Sequence, residues 1–314
     1  MKYTQYIGIL LGGLYGLTYR TLCESPKSTE LFDFNIYSIS FIWILPIAIG
    51  VIPLLFATKE IVKSRTKQFF FPILSVFIFF IFALSIGLED WLCILIIAIP
   101  FLLVAGIAGL VLGSFMKKHK AENLYSILFL PFLLSPLESQ FPNSKEQFHV
   151  QNEIIINSGK SEVWNILIEV PEISDDEYEM GFLNYIGIPR PIKSKLEYVN
   201  GKQYRVGYFT DDLKLFESIS KLDSTNFVSF DIHIDKSELR DLPTDKHLLG
   251  SNYFQFQNIS YELVSLDNHV TKLILSCDYT IESKMNGYAG FWANVIVQDF
   301  ETRLLNALKR KVEE

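Results

Sequence analysis

Residues 91–115 read WLCILIIAIPFLLVAGIAGLVLGSF and contain no Asp, Glu, Lys or Arg. The hydrocarbon core of a bilayer is about 30 Å thick, so a helix needs roughly 20 apolar residues to cross it. Three more apolar stretches of this kind lie upstream, at about 4–20, 37–57 and 69–88. We therefore predict that the first half of the chain is an all-α region of four transmembrane helices.

The interior of these spans is predicted to be free of charge. Ionisable residues at membrane depth mark ion or proton paths, so their absence argues against a pump and favours an anchor. Gly109 and Gly113 form a GxxxG pair in the fourth span. Small residues at this spacing let two helices approach closely, and we favour packing within the chain over dimerisation.

Loop charges predict the orientation of the spans. The loop after the second span and the segment after the fourth are basic, with Lys59, Lys63, Arg65, Lys67, Lys117, Lys118 and Lys120. The opposite loops carry Glu24, Glu30, Asp33, Glu89 and Asp90 against Arg20 and Lys27. Because cytoplasmic loops carry an excess of Lys and Arg, we expect the basic loops and the N-terminus to face the cytoplasm.

Residues 124–137 (LYSILFLPFLLSPL) leave the side of the C-terminal half open. As an α-helix these fourteen residues would cover about 21 Å, less than the bilayer core. They either form an interfacial or re-entrant piece, which leaves the C-terminal half in the cytoplasm, or span the membrane and place it outside. We slightly favour the first alternative.

The second half of the chain has a different composition. Residues 138–314 carry 18 Lys/Arg against 28 Asp/Glu, whereas residues 1–137 carry ten against seven. This acidic balance argues against nucleic-acid binding, which requires a basic surface. We divide the chain into a transmembrane region at 1–137, a linker at 138–147 and a separate domain at 148–314.

Alternating apolar residues predict that the domain is mostly antiparallel sheet. A first strand at Phe148–Asn157 is followed by a helix from Ser161. The later strands are Ile192–Val199, Lys202–Phe209, Leu213–Leu222, Phe227–Asp235, Tyr253–Leu266 and Val270–Ile281, with an Asn200-Gly201 hairpin turn between the first two of these. Asn-Gly between alternating segments is a strong hairpin signal.

A long helix at about Tyr288–Lys311 closes the chain. It carries an unbroken i+4 apolar ridge, made of Tyr288, Trp292, Ile296, Phe300, Leu304, Leu308 and Val312. Such a ridge is typical of a helix that packs on a sheet. We predict an α+β domain in which a curved antiparallel sheet wraps around this helix.

Two segments carry a resemblance to a known family. IIINSGKSEVWNIL (154–167) joins a strand, a small-residue turn and Val-Trp, and FETRLL (300–305) lies in the final helix. Over residues 148–312 the chain resembles the START-like superfamily, also called SRPBCC or polyketide cyclase/dehydrase and lipid transport, with the helix-grip fold. GIPRP (187–191) and NGYAGFW (286–292) look like a bacterial branch, which would place the protein in a bacterial inner membrane.

The resemblance implies binding of a hydrophobic ligand such as a lipid, sterol or polyketide. Only some members of the superfamily catalyse reactions, and no shared catalytic residue can be carried over. We expect a membrane-tethered carrier or sensor without a cofactor. The alternatives are a membrane-bound enzyme of the cyclase/dehydrase type and a docking module that binds no ligand.

Arg205 and Glu217 are the sharpest candidate site residues. Strand alternation puts Glu217 on one face with Leu213, Leu215 and Ile219, where a carboxylate needs a partner. Arg205 and Glu217 could meet in the cavity and hold the polar head of a ligand. They could instead form a purely structural ion pair, which we favour from the sequence alone.

The remaining candidates are apolar or aromatic. We expect Leu215, Tyr253, Tyr261, Trp292 and Ile296 to line the cavity. His233 and His247 show no metal-ligand spacing, and we predict no metal site. Asp299 and Arg303 are expected to form an ordinary i,i+4 surface pair. Residues 236–250 are either a loop over the cavity or, as we expect, a solvated connector.

Overall fold

The computed structural model describes residues 4–25, 36–117, 121–199 and 201–313. The chain divides into two compact units. The helical unit comprises Met1–Ser144 together with Ser283–Met285, and the C-terminal unit comprises Lys145–Glu282 together with Asn286–Glu314. Each unit has its own hydrophobic core.

The helical unit is built from apolar helices joined by short connections. Its helices are α1 (Thr4–Glu24), a π-helical turn (Ser40–Ile44) that continues into α2 (Leu45–Leu55), α3 (Lys59–Lys63), α4 (Arg65–Ser85), α5 (Trp91–Phe115), a 3-10 helix (Ala121–Phe129) and α6 (Leu130–Glu138). Asp90 caps α5 by accepting a hydrogen bond from the backbone N–H of Cys93 at 2.9 Å. Pro53, Pro72 and Pro100 lie inside α2, α4 and α5.

Glycines allow these helices to pack closely. A Cβ added to Gly109 of α5 would overlap the carbonyl oxygen of Gln68 in α4, and one added to Gly113 would lie 2.8 Å from Cγ of Gln68. The predicted GxxxG pair therefore packs within the chain. Gly12 of α1 makes a similar approach, since a Cβ there would lie 2.9 Å from the carbonyl oxygen of Ile49.

Of the described helices, α4 and α5 are long and apolar enough to cross a membrane. The four or five spans expected from the sequence stay a prediction. α1 continues beyond the expected end of the first span to Glu24, and the side chain of Arg20 is fully buried. Arg20 pairs with Glu89 and Glu24 and donates to the carbonyl oxygen of Leu88 at 2.8 Å, so its charge is compensated.

A helix and a strand extend into the two ends of the predicted linker. α6 ends at Glu138 and the first strand already begins at Ser144, four residues before the expected start. The side chains of this strand alternate between exposed and buried only from Phe148 onward. The residues before Phe148 therefore carry no strand pattern in the sequence. Lys118, Lys120, Lys27, Glu30 and Asp33, used to orient the spans, lie outside the described residues.

The C-terminal unit holds a seven-stranded sheet. Its strands are β1 (Ser144–Ile156), β2 (Pro191–Val199), β3 (Lys202–Phe209), β4 (Lys214–Asp223), β5 (Phe227–Ile232), β6 (Phe254–Asp267) and β7 (Val270–Ser283). The order across the sheet is β1-β7-β6-β5-β4-β3-β2, so β2 to β7 form a meander and β1 closes beside β7. Each neighbouring pair from β2 to β7 is antiparallel.

Two predicted elements are shorter than expected. β5 ends at Ile232 rather than Asp235, because a 3-10 turn follows at Ile234–Lys236. The helix after β1, α7 (Lys160–Asn165), is a short one, and a further short helix, α8 (Phe182–Tyr185), precedes β2. Of the predicted Asn200-Gly201 turn, Asn200 lies outside the described residues, and Gly201 has the positive φ (76°) that such a turn requires.

The long final helix, α9 (Asn286–Glu313), packs against the sheet. Leu304, Leu305 and Leu308 lie in the main core with residues of β1, α7, β5, β6 and β7. A second cluster places Ala289, Ala293 and Val297 near Val150 and Tyr279. A curved antiparallel sheet against a long C-terminal helix fits the helix-grip architecture.

Candidate functional site

Arg205 and Glu217 meet in the interior of the C-terminal unit. They lie opposite each other in the β3–β4 register, and a guanidinium N–H of Arg205 donates to a carboxylate oxygen of Glu217. Each side chain is 7% exposed. Burial works against the charge of Arg205, but the facing carboxylate raises the pKa of Arg205 above its ordinary value.

Further contacts fix the orientation of Arg205. Its Nε–H donates to the carbonyl oxygen of Ile168 at 2.8 Å, and its guanidinium carbon lies 4.6 Å from the centre of the Phe230 ring. The Phe230 and Tyr261 rings meet edge to face, with centroids 6.2 Å apart. Burial raises the pKa of Tyr261 to about 12, so this phenol stays protonated near neutral pH beside the charged pair.

A further buried carboxyl group, that of Glu301, lies on α9. The residue is 2% exposed, and one carboxyl oxygen accepts a hydrogen bond from the side-chain amide of Asn152 on β1 at 2.7 Å. The other oxygen is buried without a hydrogen-bond partner. Burial raises the pKa of Glu301 to about 7, whereas the Asn152 bond opposes this shift. Glu301 therefore exchanges its proton near neutral pH.

The apolar ridge of α9 is unevenly covered. In its C-terminal part Leu304 and Leu308 are buried, whereas in its N-terminal part Trp292, Ile296 and Phe300 are only half-buried. The Phe300 ring lies 6.1 Å from the ring of Phe209 at the end of β3. The N-terminal part of the ridge therefore keeps apolar surface that the protein does not cover.

Residues 236–250 are held to the unit at the buried residues Arg240, Thr244 and Asp245, whereas Lys236, Glu238, Asp241 and Lys246 are exposed. The guanidinium of Arg240 donates to both carboxylate oxygens of Asp245, at 2.6 and 3.0 Å, and to the carbonyl oxygen of Gly187 at 3.0 Å. Arg240 is also 3.6 Å from the carboxylate of Asp211. This segment thus connects the loops that precede β2 and β4.

The structure brings together some of the predicted site residues and separates others. Tyr261 joins Arg205 and Glu217, and Leu215 lies next but one to Glu217 on β4 and is 8% exposed. Trp292 and Ile296 lie on the half-buried part of α9. Tyr253 precedes β6, and its backbone carbonyl accepts a hydrogen bond from the N–H of Glu282 at 2.9 Å.

The predicted pair on α9 forms and reaches beyond the helix. The guanidinium of Arg303 donates to both carboxylate oxygens of Asp299, at 2.9 and 3.0 Å, and to the carbonyl oxygen of Glu179 at 2.8 Å. A Cβ on Gly181 would overlap the guanidinium of Arg303, so a larger residue there would displace that side chain. The pair is therefore partly buried and positions the loop at 179–181.

The histidine at the end of β5 makes an ordinary polar contact. The Nε2 atom of His233 lies 2.8 Å from the hydroxyl oxygen of Ser218. The side chain of His247 is half-buried in the turn at Asp245–Leu249. The three cysteines, Cys23, Cys93 and Cys277, are all free thiols.

Sequence reasoning missed Glu301 and the Arg240–Asp245 pair. A signal for Glu301 was available, because Val297, Glu301, Leu304 and Leu308 recur at helical spacing and place the carboxyl group on an apolar stripe. No comparable signal exists for Arg240, whose partners Gly187 and Asp211 are far away in the sequence.

Several solved structures are similar to the C-terminal half of the chain. The Zhui aromatase/cyclase from Streptomyces sp. R1128 is 16% identical with a TM-score of 0.34; the match covers 54% of this chain and 94% of that one. Norcoclaurine synthase from Thalictrum flavum is 11% identical with a TM-score of 0.35, covering 55% and 89%. A START superfamily protein from Mycobacterium smegmatis is 10% identical with a TM-score of 0.36, covering 52% and 97%.

These neighbours belong to the START/polyketide cyclase superfamily and leave the helical unit unmatched. No protein-family profile matches the chain, and no curated protein sequence matches it.

Proposed function

We propose that the protein is a membrane-anchored binding domain for a lipid or another hydrophobic small molecule, acting as a carrier or sensor. In this proposal residues 1–137 form the anchor and residues 148–314 the binding domain. The observation that carries it is the combination, in the C-terminal unit, of a half-covered apolar helix face with a buried charged pair on the sheet. Sites for small molecules are mostly apolar with a few placed polar groups.

The surface of the helical unit supports the anchor. Large apolar side chains are exposed along α1, α4 and α5: Ile7, Leu10, Leu11, Leu14, Phe70, Leu74, Phe77, Ile81, Ile99, Leu103, Ile107 and Val111. Three neighbouring helices with apolar outer faces are far more than a soluble monomer usually exposes. The glycine contacts between α4 and α5 are the packing that membrane helices use.

The ligand would contact the exposed part of the α9 ridge. Trp292, Ile296 and Phe300 offer apolar surface there, and Phe209 borders Phe300. Arg205 and Glu217 would hold the polar head of the ligand, with Tyr261 as a neutral hydroxyl beside them. A membrane anchor suits this chemistry, because an apolar ligand taken from the bilayer need not cross water.

The proposal is tested by native mass spectrometry of the full chain in mild detergent, followed by extraction of the bound molecules. Leu215→Trp enlarges a side chain that is 8% exposed beside Glu217, and Leu222→Trp does so on the same strand at a site that is 52% exposed. We expect a co-purifying hydrophobic molecule in the wild type and in Leu222→Trp, and at least a tenfold loss in Leu215→Trp.

The binding function would be contradicted if the folded protein carried no co-purifying molecule and a panel of lipids did not change its melting temperature. A molecule retained equally by both tryptophan variants would show that the ligand binds elsewhere. Circular dichroism of both variants checks that a loss is not caused by unfolding.

A further inference from the structure

Residues 128–132 contact α1, and the two segments run in the same direction. The Tyr15 hydroxyl donates to the carbonyl oxygen of Leu128, and the Tyr19 hydroxyl donates to that of Pro131 at 3.4 Å. The Phe132 ring lies between these tyrosines, 5.9 Å from Tyr15 and 5.2 Å from Tyr19. Residue numbers therefore increase in the same direction along both segments.

Glu138 lies at the end of the helical unit where α1 ends. Its carboxylate accepts hydrogen bonds from the backbone N–H of Ile39 at 2.7 Å and of Ser40 at 2.9 Å, and from the Ser40 hydroxyl at 2.8 Å. Ser40 begins the return helix, and the neighbouring Phe41 stacks on Tyr19 near the end of α1. The segment therefore reaches the level where the chain turns back.

The length of the segment is comparable to the thickness of a bilayer core. Ala121–Phe129 is a 3-10 helix, which rises about 2.0 Å per residue, and Leu130–Glu138 is α-helical at about 1.5 Å per residue. Together they extend about 30 Å, of which the apolar residues 124–137 account for about 24 Å and the polar residues Glu122, Asn123 and Glu138 for the two ends, so the segment approaches the thickness of a hydrocarbon core. The sequence expectation was shorter because it treated fourteen residues as a pure α-helix.

The segment has a bundle face and a lipid face. Pro131 and Ser135 are buried in the helical unit. On the other side large apolar side chains are exposed, namely Phe129, Leu133 and Leu137. Acyl chains are the environment in which such a face is stable next to the apolar faces of α1, α4 and α5.

We infer that residues 121–138 are a fifth membrane crossing, and that the chain leaves the bilayer on the side opposite its basic loops. This inference rests on the proposed membrane anchor. Lys59, Lys63, Arg65, Lys67 and Lys117 lie at one end of the helices, and Glu24, Glu89, Asp90 and Glu138 at the other. Because basic loops face the cytoplasm, Glu138 lies on the external side.

This result reverses the side favoured from the sequence. Only five residues separate Glu138 from the start of β1, so the C-terminal unit begins on the same external side. The hydrophobic ligand would then come from the outer leaflet or from the external space rather than from the cytoplasm.

The inference is tested by cysteine labelling in spheroplasts with a membrane-impermeant maleimide. In a full-length background with Cys23, Cys93 and Cys277 replaced by Ser, a single cysteine is placed at an exposed site. Ser224→Cys and Thr302→Cys probe the C-terminal unit, and Thr66→Cys probes the basic loop. We expect the first two to label in intact spheroplasts and Thr66→Cys to label only after lysis.

Two other outcomes would overturn the inference and are distinguishable. If all three variants stay in membranes after an alkaline carbonate wash and label only after lysis, the fifth crossing is wrong and the anchor stands. If the protein is released by the carbonate wash, the membrane anchor itself is wrong and the crossing fails with it.

Discussion

Both units bury a hydrophobic core, but the helical unit also exposes large apolar side chains along several helices. In the helical unit Phe70 and Ile81 are exposed, while Gly109 and Gln68 lie at the contact between helices. In the C-terminal unit Leu273 and Leu275 are buried. Each pattern is stable in a different solvent, since lipid surrounds apolar side chains without cost whereas water does not. The two patterns within one chain support the proposal of an anchor and a binding domain.

Both units also bury an ion pair, but in different settings. In the helical unit Arg20 and Glu89 connect the last turn of α1 to the turn before α5, where Arg20 also donates to a backbone carbonyl. In the C-terminal unit Arg205 and Glu217 lie in the middle of two paired strands, beside an aromatic cluster. The position of the Arg20–Glu89 pair is explained because the pair joins helices. The position of the Arg205–Glu217 pair is compatible with a role in ligand binding.

The largest expected effect follows from breaking the pair in the sheet. Glu217→Ala leaves the charge of Arg205 buried and unpaired, which costs about 3–5 kcal/mol of stability. Replacing both groups with apolar residues of similar size, in Arg205→Met with Glu217→Leu, should restore most of that loss. Thermal unfolding of the full chain in mild detergent measures both. Equal stability of Glu217→Ala and wild type would contradict the buried pair.

The helix contact is sharpened by Gly109→Leu. A side chain there meets the carbonyl oxygen of Gln68, so α4 and α5 must move apart, at a cost of about 3 kcal/mol. Val111→Leu on the exposed face of α5 is the matched control and should have almost no effect. Size-exclusion chromatography in detergent reports the folded fraction. A tolerated Gly109→Leu would show that these helices do not pack closely.

The buried carboxyl group of α9 predicts a pH dependence. Burial raises the pKa of Glu301 from 4.5 to about 7, so the folded unit keeps a proton that the unfolded chain has lost. Stability therefore falls as the pH rises from about 4.5 to 7 and stays level above that range. Glu301→Gln should remove this fall, stabilising the unit by about 3 kcal/mol at pH 8 and not at all near pH 4.

Unfolding curves of the wild type and Glu301→Gln across this pH range make the comparison. Asp278→Asn, at an exposed carboxylate near the same strand pair, is the control. Parallel curves for the wild type and Glu301→Gln would mean that Glu301 is charged in the folded unit.

The smallest effect is expected at an exposed ion pair between Lys214, on the same strand as Glu217, and Glu238. Lys214 and Glu238 are 2.8 Å apart, but both side chains reach water. Exposed pairs contribute little because water and salt screen them. Glu238→Ala should leave the melting temperature unchanged within error. A loss comparable to that of Glu217→Ala would show that burial does not separate the two pairs.

Much of the C-terminal fold could be predicted from local patterns. Alternation located every strand from β2 to β7 within a few residues, and the i+4 ridge located α9, because both periods are written in adjacent residues. The meeting of Arg205 and Glu217 also followed from alternation across a short turn. By contrast, the hydrogen bond from Arg240 to the carbonyl oxygen of Gly187 joins residues that only the fold brings together.

Residues 121–138 show a second limit of local reasoning. Their apolar character was evident, but their 3-10 geometry and their register with Tyr15 and Tyr19 depend on packing against α1. The buried charge of Arg20 was missed for the same reason, since its partner Glu89 lies in another loop.

The most direct test of the binding function is to compare ligand occupancy in the wild type and in the double variant Arg205→Met with Glu217→Leu. Native mass spectrometry of both full-length proteins, with unfolding temperatures measured in parallel, gives the answer. If the pair holds the polar head of a ligand, the double variant should stay folded and lose at least tenfold of its bound molecule. Full occupancy in a stable double variant would show that the pair is structural only, and that the ligand is not anchored at Arg205.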